Sequence, residues 1–237
     1  VVSAADVGSW DAARGVVQQD VDTYGRIDAV VNCAGFLRDG IFHRMTEEDF
    51  DAVVRVHLKG TFNVSRAAAE HFRAQGSGAY VHMTSTAGLI GNFGQANYAA
   101  AKMGIVGLSR SIALDMARFG VRSNAVAPFA WSRLIGTLPE ETPEQRARVE
   151  KFREMRAELV APLVVFLLSD DAAEITGQVF VVRRNEIFLM SQPRPIRAIH
   201  DSQGWDLEGL RSRMLPAFRS SLVPLERSPE VFSCDPV

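Results

Sequence analysis

Along the first ninety residues the apolar positions switch between two periods. Val16, Val17, Val21 and Tyr24 recur at helical spacing, and Gly25 ends that helix. Ile27 to Val31 is a short, mostly apolar run, which predicts a strand buried on both faces. Thr46-Glu47-Glu48-Asp49 reads as a capping box, followed by Phe50, Val53, Val54, His57 and Leu58 on one helical face. The helix continues, or restarts, through Phe62, Val64 and Ala67 to Phe72. A second strand spans Ala79 to Thr84, introduced by Gly76-Ser77-Gly78.

The second half repeats the scheme. Ala96 to Phe119 is a long helix with Met103, Val106, Ile112, Ala113 and Met116 inward, ended by Gly120. Val121 to Ala127 is a strand, and Pro128 closes it. Leu138 to Glu158 is a charged helical segment, Val160 to Leu168 an apolar helix, and Gly177 to Val182 a final strand. Strands separated by helices of this length imply βαβ units, hence an α/β fold with a doubly wound parallel sheet and helices on both faces. Ligands of such sheets sit outside the carboxyl ends of the strands. That directs attention to the residues just after Val31, Thr84 and Ala127.

Residues 183–237 carry no clear period. Four prolines (Pro193, Pro195, Pro216, Pro224) and two lone aromatics, Trp205 and Phe232, read as an extension that packs on the domain of residues 1–182 or on a neighbouring subunit.

Composition narrows the function classes. A net charge of −2 with both signs mixed along the chain supplies no footprint for nucleic acid. Val160 to Leu168, broken by Pro162, is far too short for the roughly 20 residues of a membrane span. The N-terminus shows no signal-peptide pattern. Cys33 and Cys234 form neither a metal-ligand pattern nor a disulfide framework, so no metal is expected. A reducing cytoplasmic setting fits, and Cys234-Asp235-Pro236-Val237 is not a peroxisomal address.

Tyr98 and Lys102 are four apart on a helix and share one face. An ammonium beside a phenol favours the phenolate, which makes the tyrosine usable as a general acid/base near neutrality. The competing reading is a chance pair on a solvated helix. Ser85 follows its strand directly, where a hydroxyl can bond a substrate carbonyl and stabilise charge developing on its oxygen; it can equally be a cap or turn serine. Asn32-Cys33-Ala34-Gly35 ends the strand before it, with small residues that admit a ligand to the backbone and an Asn able to tie strands together, or else a simple turn. Gly88 to Gly94 has the glycine spacing of a phosphate cradle, but it runs into the Tyr98 helix and carries low weight as such.

Together and in this order, these pieces resemble the short-chain dehydrogenase/reductase family. Ser85 precedes Tyr98 by 13 positions, Tyr98-Ala99-Ala100-Ala101-Lys102 completes the Tyr-x-x-x-Lys motif, and Asn32-Cys33-Ala34-Gly35 is similar to the family's Asn-Asn-Ala-Gly. The resemblance runs from about Ala5 to about Val182. It implies a Rossmann-like fold and an NAD(P)-dependent oxidoreductase that interconverts a secondary alcohol and a ketone, in a homodimer or homotetramer. It also implies that Tyr98 is the acid/base, that Ser85 orients the carbonyl, and that Lys102 lowers the tyrosine pKa and holds the nicotinamide ribose. Asp6 would contact the adenine, Asn32, Ala34 and Gly35 would line the cofactor, and Pro128 would sit near the carboxamide.

Three departures stand out. His57 occupies the position of the family's active-site Asn, where it can relay protons with a pKa near neutrality or serve only structurally. Cys33 replaces the motif's second Asn. The glycine-rich turn of the family's first strand has no counterpart, so the first two strands are expected to lie in roughly 50–70 further N-terminal residues, the size of a βαβ unit with its turns. Val-His-Leu-Lys-Gly (56–60), Ala-Pro-Phe-Ala-Trp-Ser-Arg (127–133) and the long tail are similar to the (3R)-hydroxyacyl-CoA dehydrogenase unit of peroxisomal multifunctional enzymes, a branch that overlaps with 17β-hydroxysteroid dehydrogenases. The implied substrate is a 3-hydroxyacyl/3-oxoacyl thioester. A steroid, or a non-catalytic fragment unable to bind dinucleotide, are the alternatives.

Overall fold

The structure, a computed structural model, describes residues 1–131 and 141–232. Ser132, Arg133, Leu138 and the C-terminal Cys234-Asp235-Pro236-Val237 lie outside the described residues. By compactness the chain forms two units: one runs from Val1 to Met190 and resumes at Arg227, the other is Ser191–Glu226.

The first unit contains, in chain order, α1 (Trp10–Tyr24), β1 (Ala29–Asn32), α2 (Glu47–Val54), α3 (Gly60–Gln75), β2 (Gly78–Met83), α4 (Thr86–Leu89), α5 (Ala96–Met116), β3 (Val121–Phe129), α6 (Pro143–Arg153), α7 (Ala161–Leu168), β4 (Val179–Arg183) and β5 (Glu186–Leu189). The sheet order is β1-β2-β3-β4-β5, with the first four strands parallel and β5 antiparallel to β4. Local chemistry sets the element ends. The Ser9 side chain caps the α1 N-terminus, and Gly25, at φ 78°, closes its far end by returning its N–H to Val21 O. Thr46 caps α2 by accepting from Asp49 N at 3.1 Å, and its hydroxyl donates to the short Asp49 side chain.

Helices cover both sheet faces, the Rossmann-like arrangement. On one side Val17, Phe72, Tyr80 and Val121 form a core under α1, α3 and α5. On the other, Val81, Val126 and Val182 pack against Leu163, Val164 and Leu167 of α7. Parallel strands sandwiched this way are apolar on both faces. α2 and α3 are one continuous helical run joined by a π-turn, Arg55–Lys59, with His57 at its centre.

Several boundaries differ from the pattern reading. Val31 is 40% exposed, because its side of β1 faces the cavity described below rather than a helix. β3 runs through Pro128 to Phe129, with Pro128 in register with Val182, since a missing donor costs only one ladder bond near a strand end. Met103 of α5 is 44% exposed, so the inward stripe passes beside it. The strand at 179–183 is not the last: the chain turns at Arg184, φ 51°, and pairs β5 back on β4.

The second unit holds α8 (Leu207–Gly209), a π-turn (Leu210–Met214) and α9 (Leu215–Arg219) in one continuous run. Asp206 caps its start by accepting from Gly209 N at 2.7 Å, and Arg213 pairs with Asp201 while stacking over Trp205. α10 (Ser228–Val231) belongs to the first unit again.

Candidate active site

Ser85 directly follows β2 and serves as the N-cap of α4, its oxygen accepting from Ala87 N at 3.2 Å. α4 then presses on α5. A Cβ on Gly88 would come within 2.9 Å of Met103 N, so only glycine permits this approach. The contact brings the Ser85 side chain close enough to act on the Tyr98 phenol, whose pKa it lowers. The Gly88–Gly94 stretch therefore works in helix packing and in a turn, where Gly94 O accepts from Gly40 N at 2.8 Å.

Tyr98 sits in the first turn of α5, and its neighbour Asn97 fixes that turn. Asn97 is fully buried, donates to Arg38 O and Asp49 O at 2.9 and 3.1 Å, and accepts from Tyr98 N at 2.7 Å. The phenol's pKa is pushed up, mainly by burial, against the lowering effect of the Ser85 side chain. This corrects the expectation of a lowered value. Lys102 Nζ is 5.6 Å from the Tyr98 ring centroid and donates instead to Met83 O at 2.6 Å. Lys102 is itself only 5% exposed, and burial lowers its pKa to about 8.

His57 is 2% exposed and packs edge-on to Tyr98 with ring centroids 5.2 Å apart. Its Nε2 lies against the Phe36 backbone, 3.0 Å from the nitrogen and 2.7 Å from the oxygen, while Nδ1 is buried without a partner. Burial, then repulsion from Lys102, lowers its pKa to about 4. A relay titrating near neutrality is thereby corrected: desolvation keeps this imidazole neutral at physiological pH.

His57, Tyr98 and Lys102 border a cavity of about 410 Å³. Cys33, Gly35, His57, Tyr98, Lys102 and Pro128 line one side, and Val160, Ala161 and Val164 of the α7 segment line the other. Gly35 is obligatory there, since a Cβ would fall 2.0 Å from His57 Cε1. A second hollow of about 480 Å³, bordered by Glu150, Arg153, Arg156 and Arg184, holds none of the predicted site residues.

Four predicted residues are not on the cavity wall, among them Ser85, which caps α4 and follows the lining residue Thr84 in sequence. Asn32 donates to Ser65 Oγ and His82 Nδ1, both at 3.1 Å, and so ties β1 to β2 and α3. Asp6 pairs with Arg55 at 2.6 Å, and that hydrogen bond holds its carboxyl below the usual range. Ala34 is exposed in the loop after β1. Sequence reasoning missed Asn97, the Met83 carbonyl, Thr84, whose hydroxyl donates to Lys102 O at 2.7 Å, and the α7 wall. Asn97 alone left a signal, as a polar residue at the start of an apolar helix.

Comparison with known proteins bears on this geometry. The profile of the family described as enoyl-(acyl carrier protein) reductase matches residues 1–183. The crystal structure of a short-chain dehydrogenase from Mycobacterium avium superposes with a TM-score of 0.82 at 36% identity, covering 96% of this chain and 76% of that one. The chain belongs to the short-chain dehydrogenase/reductase family. Within the family, it is 42% identical over 176 residues to the 3-oxoacyl-[acyl-carrier-protein] reductase FabG of Thermotoga maritima, covering 73% of this chain and 72% of that protein. It is 40% identical over 198 residues to the mouse peroxisomal multifunctional enzyme type 2, covering 83% of this chain but only 26% of the mouse protein. Among the described residues no helix is long and apolar enough to cross a membrane.

Proposed function

We propose that this short-chain dehydrogenase/reductase transfers hydride between NAD or NADP and a small secondary alcohol or ketone, a 3-hydroxyacyl/3-oxoacyl thioester. The observation that carries the reading is Tyr98 and Lys102 on the wall of one cavity, with the Ser85 side chain acting on the phenol. The thioester class is supported by the name of the Thermotoga relative, a 3-oxoacyl-[acyl-carrier-protein] reductase. Exposed apolar residues on α3 and α5, Phe62 and Leu114, support a homodimer or homotetramer.

The cavity tests the cofactor. Its volume, its apolar α7 wall and the side-chain-free approach at Gly35 suit the nicotinamide-riboside half of a dinucleotide. Tyr98 and Lys102 would hold the ribose, and Pro128 would border the carboxamide. When bound, the dinucleotide supplies or takes up hydride at the substrate's C3. Ser85 Oγ orients the substrate oxygen, and Tyr98 Oη moves its proton to that oxygen on reduction and recovers it on oxidation. A phenol raised by burial stays protonated at neutrality, the state that reduction needs. His57 is a positioning residue, holding the face of Tyr98 without titrating.

The test is turnover of a 3-oxoacyl thioester with NADH and with NADPH, beside a hydroxysteroid control. Tyr98→Phe should cut kcat by about 10²–10⁴-fold while dinucleotide binding persists. Retained turnover in that variant removes Tyr98 from the role. Failure to bind either dinucleotide sinks the enzyme reading for this chain, and turnover of the steroid alone reassigns the substrate.

A further inference from the structure

Cys33 is a nucleophile that the chemistry above does not use, although it stands on the wall of the same cavity. It follows β1 directly and is exposed, with its thiol free. β1 ends at Asn32, whose side chain is tied to Ser65 and His82, so the strand end fixes where residue 33 emerges. Buried Lys102 lines the cavity too, and the two groups interact electrostatically: burial pushes the Cys33 thiol pKa up, and the Lys102 charge opposes it. His57, 2% exposed, carries a buried Nδ1 with no partner among the described residues. A Cβ at Gly35 would lie 2.6 Å from that nitrogen, so Nδ1 is aimed into the space that Gly35, itself a lining residue, keeps open. A thiol, an ammonium and an unpartnered imidazole nitrogen thus meet in a cavity whose wall is otherwise largely apolar, with Val31, Met83, Val160 and Val164.

That combination selects a class of ligand. A conjugated carbonyl compound offers the thiol a soft carbon to attack, offers the polar groups an oxygen, and leaves its chain to the apolar wall. We propose that Cys33 is a covalent attachment site for conjugated carbonyl compounds, above all 2-enoyl thioesters, and that the adduct excludes the dinucleotide. In the step, a bond forms from Sγ to the β-carbon, and the electron pair of the carbon–carbon double bond moves to the α-carbon. The thiol gives up its proton and the α-carbon takes one up, so nothing leaves and no oxidant is needed. A 3-hydroxyacyl thioester becomes a 2-enoyl thioester on losing water, so the electrophile is one dehydration away from the proposed substrate. Burial keeps the thiol protonated at neutrality, so attack depends on prior binding of the chain in the cavity, which raises the local concentration of the electrophile. The attachment rests on the cavity alone; the exclusion rests on the dinucleotide reading above.

The probe is the 2-octenoyl thioester of N-acetylcysteamine, with intact mass and peptide mapping of the full chain as the readout. An adduct should form on Cys33 at a rate that saturates with probe concentration, since the chain binds before the bond forms. A rate linear in concentration describes an ordinary surface thiol and overturns the site, as does labelling confined to Cys234. Saturating NAD or NADP, which cannot reduce the probe, should slow labelling about tenfold or more, and the finished adduct should weaken dinucleotide binding to a similar degree. Cys33→Ser, treated alike, should gain no adduct at residue 33 and keep its own dinucleotide affinity. Lys102→Met should lower the saturated rate about three- to tenfold through a smaller thiolate fraction. An unchanged rate there overturns the part given to the ammonium. If dinucleotide binds but neither protects Cys33 nor is excluded by its adduct, the exclusion is overturned. If the untreated chain binds no dinucleotide, the function above has failed, and the saturation and the mapped residue alone decide the site.

Discussion

Lys102 Nζ donates to the carbonyl of Met83, the last residue of β2, at 2.6 Å. The strand end thus holds the cation at the edge of the cavity until a ligand offers a better acceptor. Burial brings the Lys102 pKa down to about 8, so the ammonium is present at neutrality and is lost as pH rises through that value. Initial rates of carbonyl reduction should therefore fall above about pH 8. Lys102→Met, similar in length but uncharged, should lower kcat by about 100-fold or more and flatten that limb of the profile. A limb that persists in the variant would assign it to another group.

Gly35 and His57 occupy one space. Because a Cβ at 35 would overlap the imidazole at 2.0 Å, Gly35→Ala must displace the ring or the loop. Overpacking of this kind costs about 1–3 kcal/mol. Urea denaturation should show that loss, and dinucleotide titration should show weakened binding alongside it.

Asn97 joins the start of α5 to two backbone carbonyls, Arg38 O and Asp49 O. Asn97→Ala strands these acceptors in a buried site and frees the Tyr98 amide, at a cost of about 2–3 kcal/mol. Thermal melting should register the loss. Asn97→Asp should fare no better, since a carboxylate offers no donor to either carbonyl.

His82 is fully buried, accepts from Asn32 and has its pKa lowered by desolvation to about 4. The unfolded chain binds its proton near pH 6.5, so between about 6.5 and 4 the unfolded state holds more protons than the folded one. Stability then rises with pH across that window and falls on acidification. His57 follows the same sign. The penalty should reach about 2 kcal/mol per histidine at pH 5, with each pKa unit contributing about 1.4 kcal/mol. Urea midpoints at pH 7 and pH 5 measure it, and His82→Gln should shrink the difference.

Features written in short stretches of chain were legible in the sequence. α1 follows from its apolar spacing and Gly25, and the meeting of Tyr98 and Lys102 at one cavity follows from their four-residue spacing on a helix. What depends on tertiary geometry was not. Nothing in Tyr-x-x-x-Lys tells that the lysine rests on Met83 O or that burial outweighs its charge at the phenol. β5 follows a turn whose positive-φ residue is Arg184 rather than glycine, so no turn signal marks it. The helical run at 207–219 was hidden because its π-turn breaks the 3.6-residue period. The tie between Ser228 and Gly91 spans most of the chain and has no local signature at all.

The π-turn at Arg55–Lys59 has a consequence for how this chain tolerates change in length. A wide turn holds one residue more than an α-turn, so it takes up that residue locally and keeps α3 in phase with α2. Val53 upstream is buried beside α5, while Asn63, Ser65 and Phe72 downstream point to β1, β2 and the Val7 backbone. Deleting a single residue within 55–59 would only close the wide turn to an α-turn, whereas deleting one from the first turn of α3 would rotate every later side chain of α3 by about 100°. Phe72 would swing out of the core, and the Tyr80 hydroxyl would lose the Ser65 carbonyl. The helix itself would survive the deletion; its alignment with the sheet would not. The wide turn lets a single helical run hold His57 at its middle and the hydrophobic core at its far end.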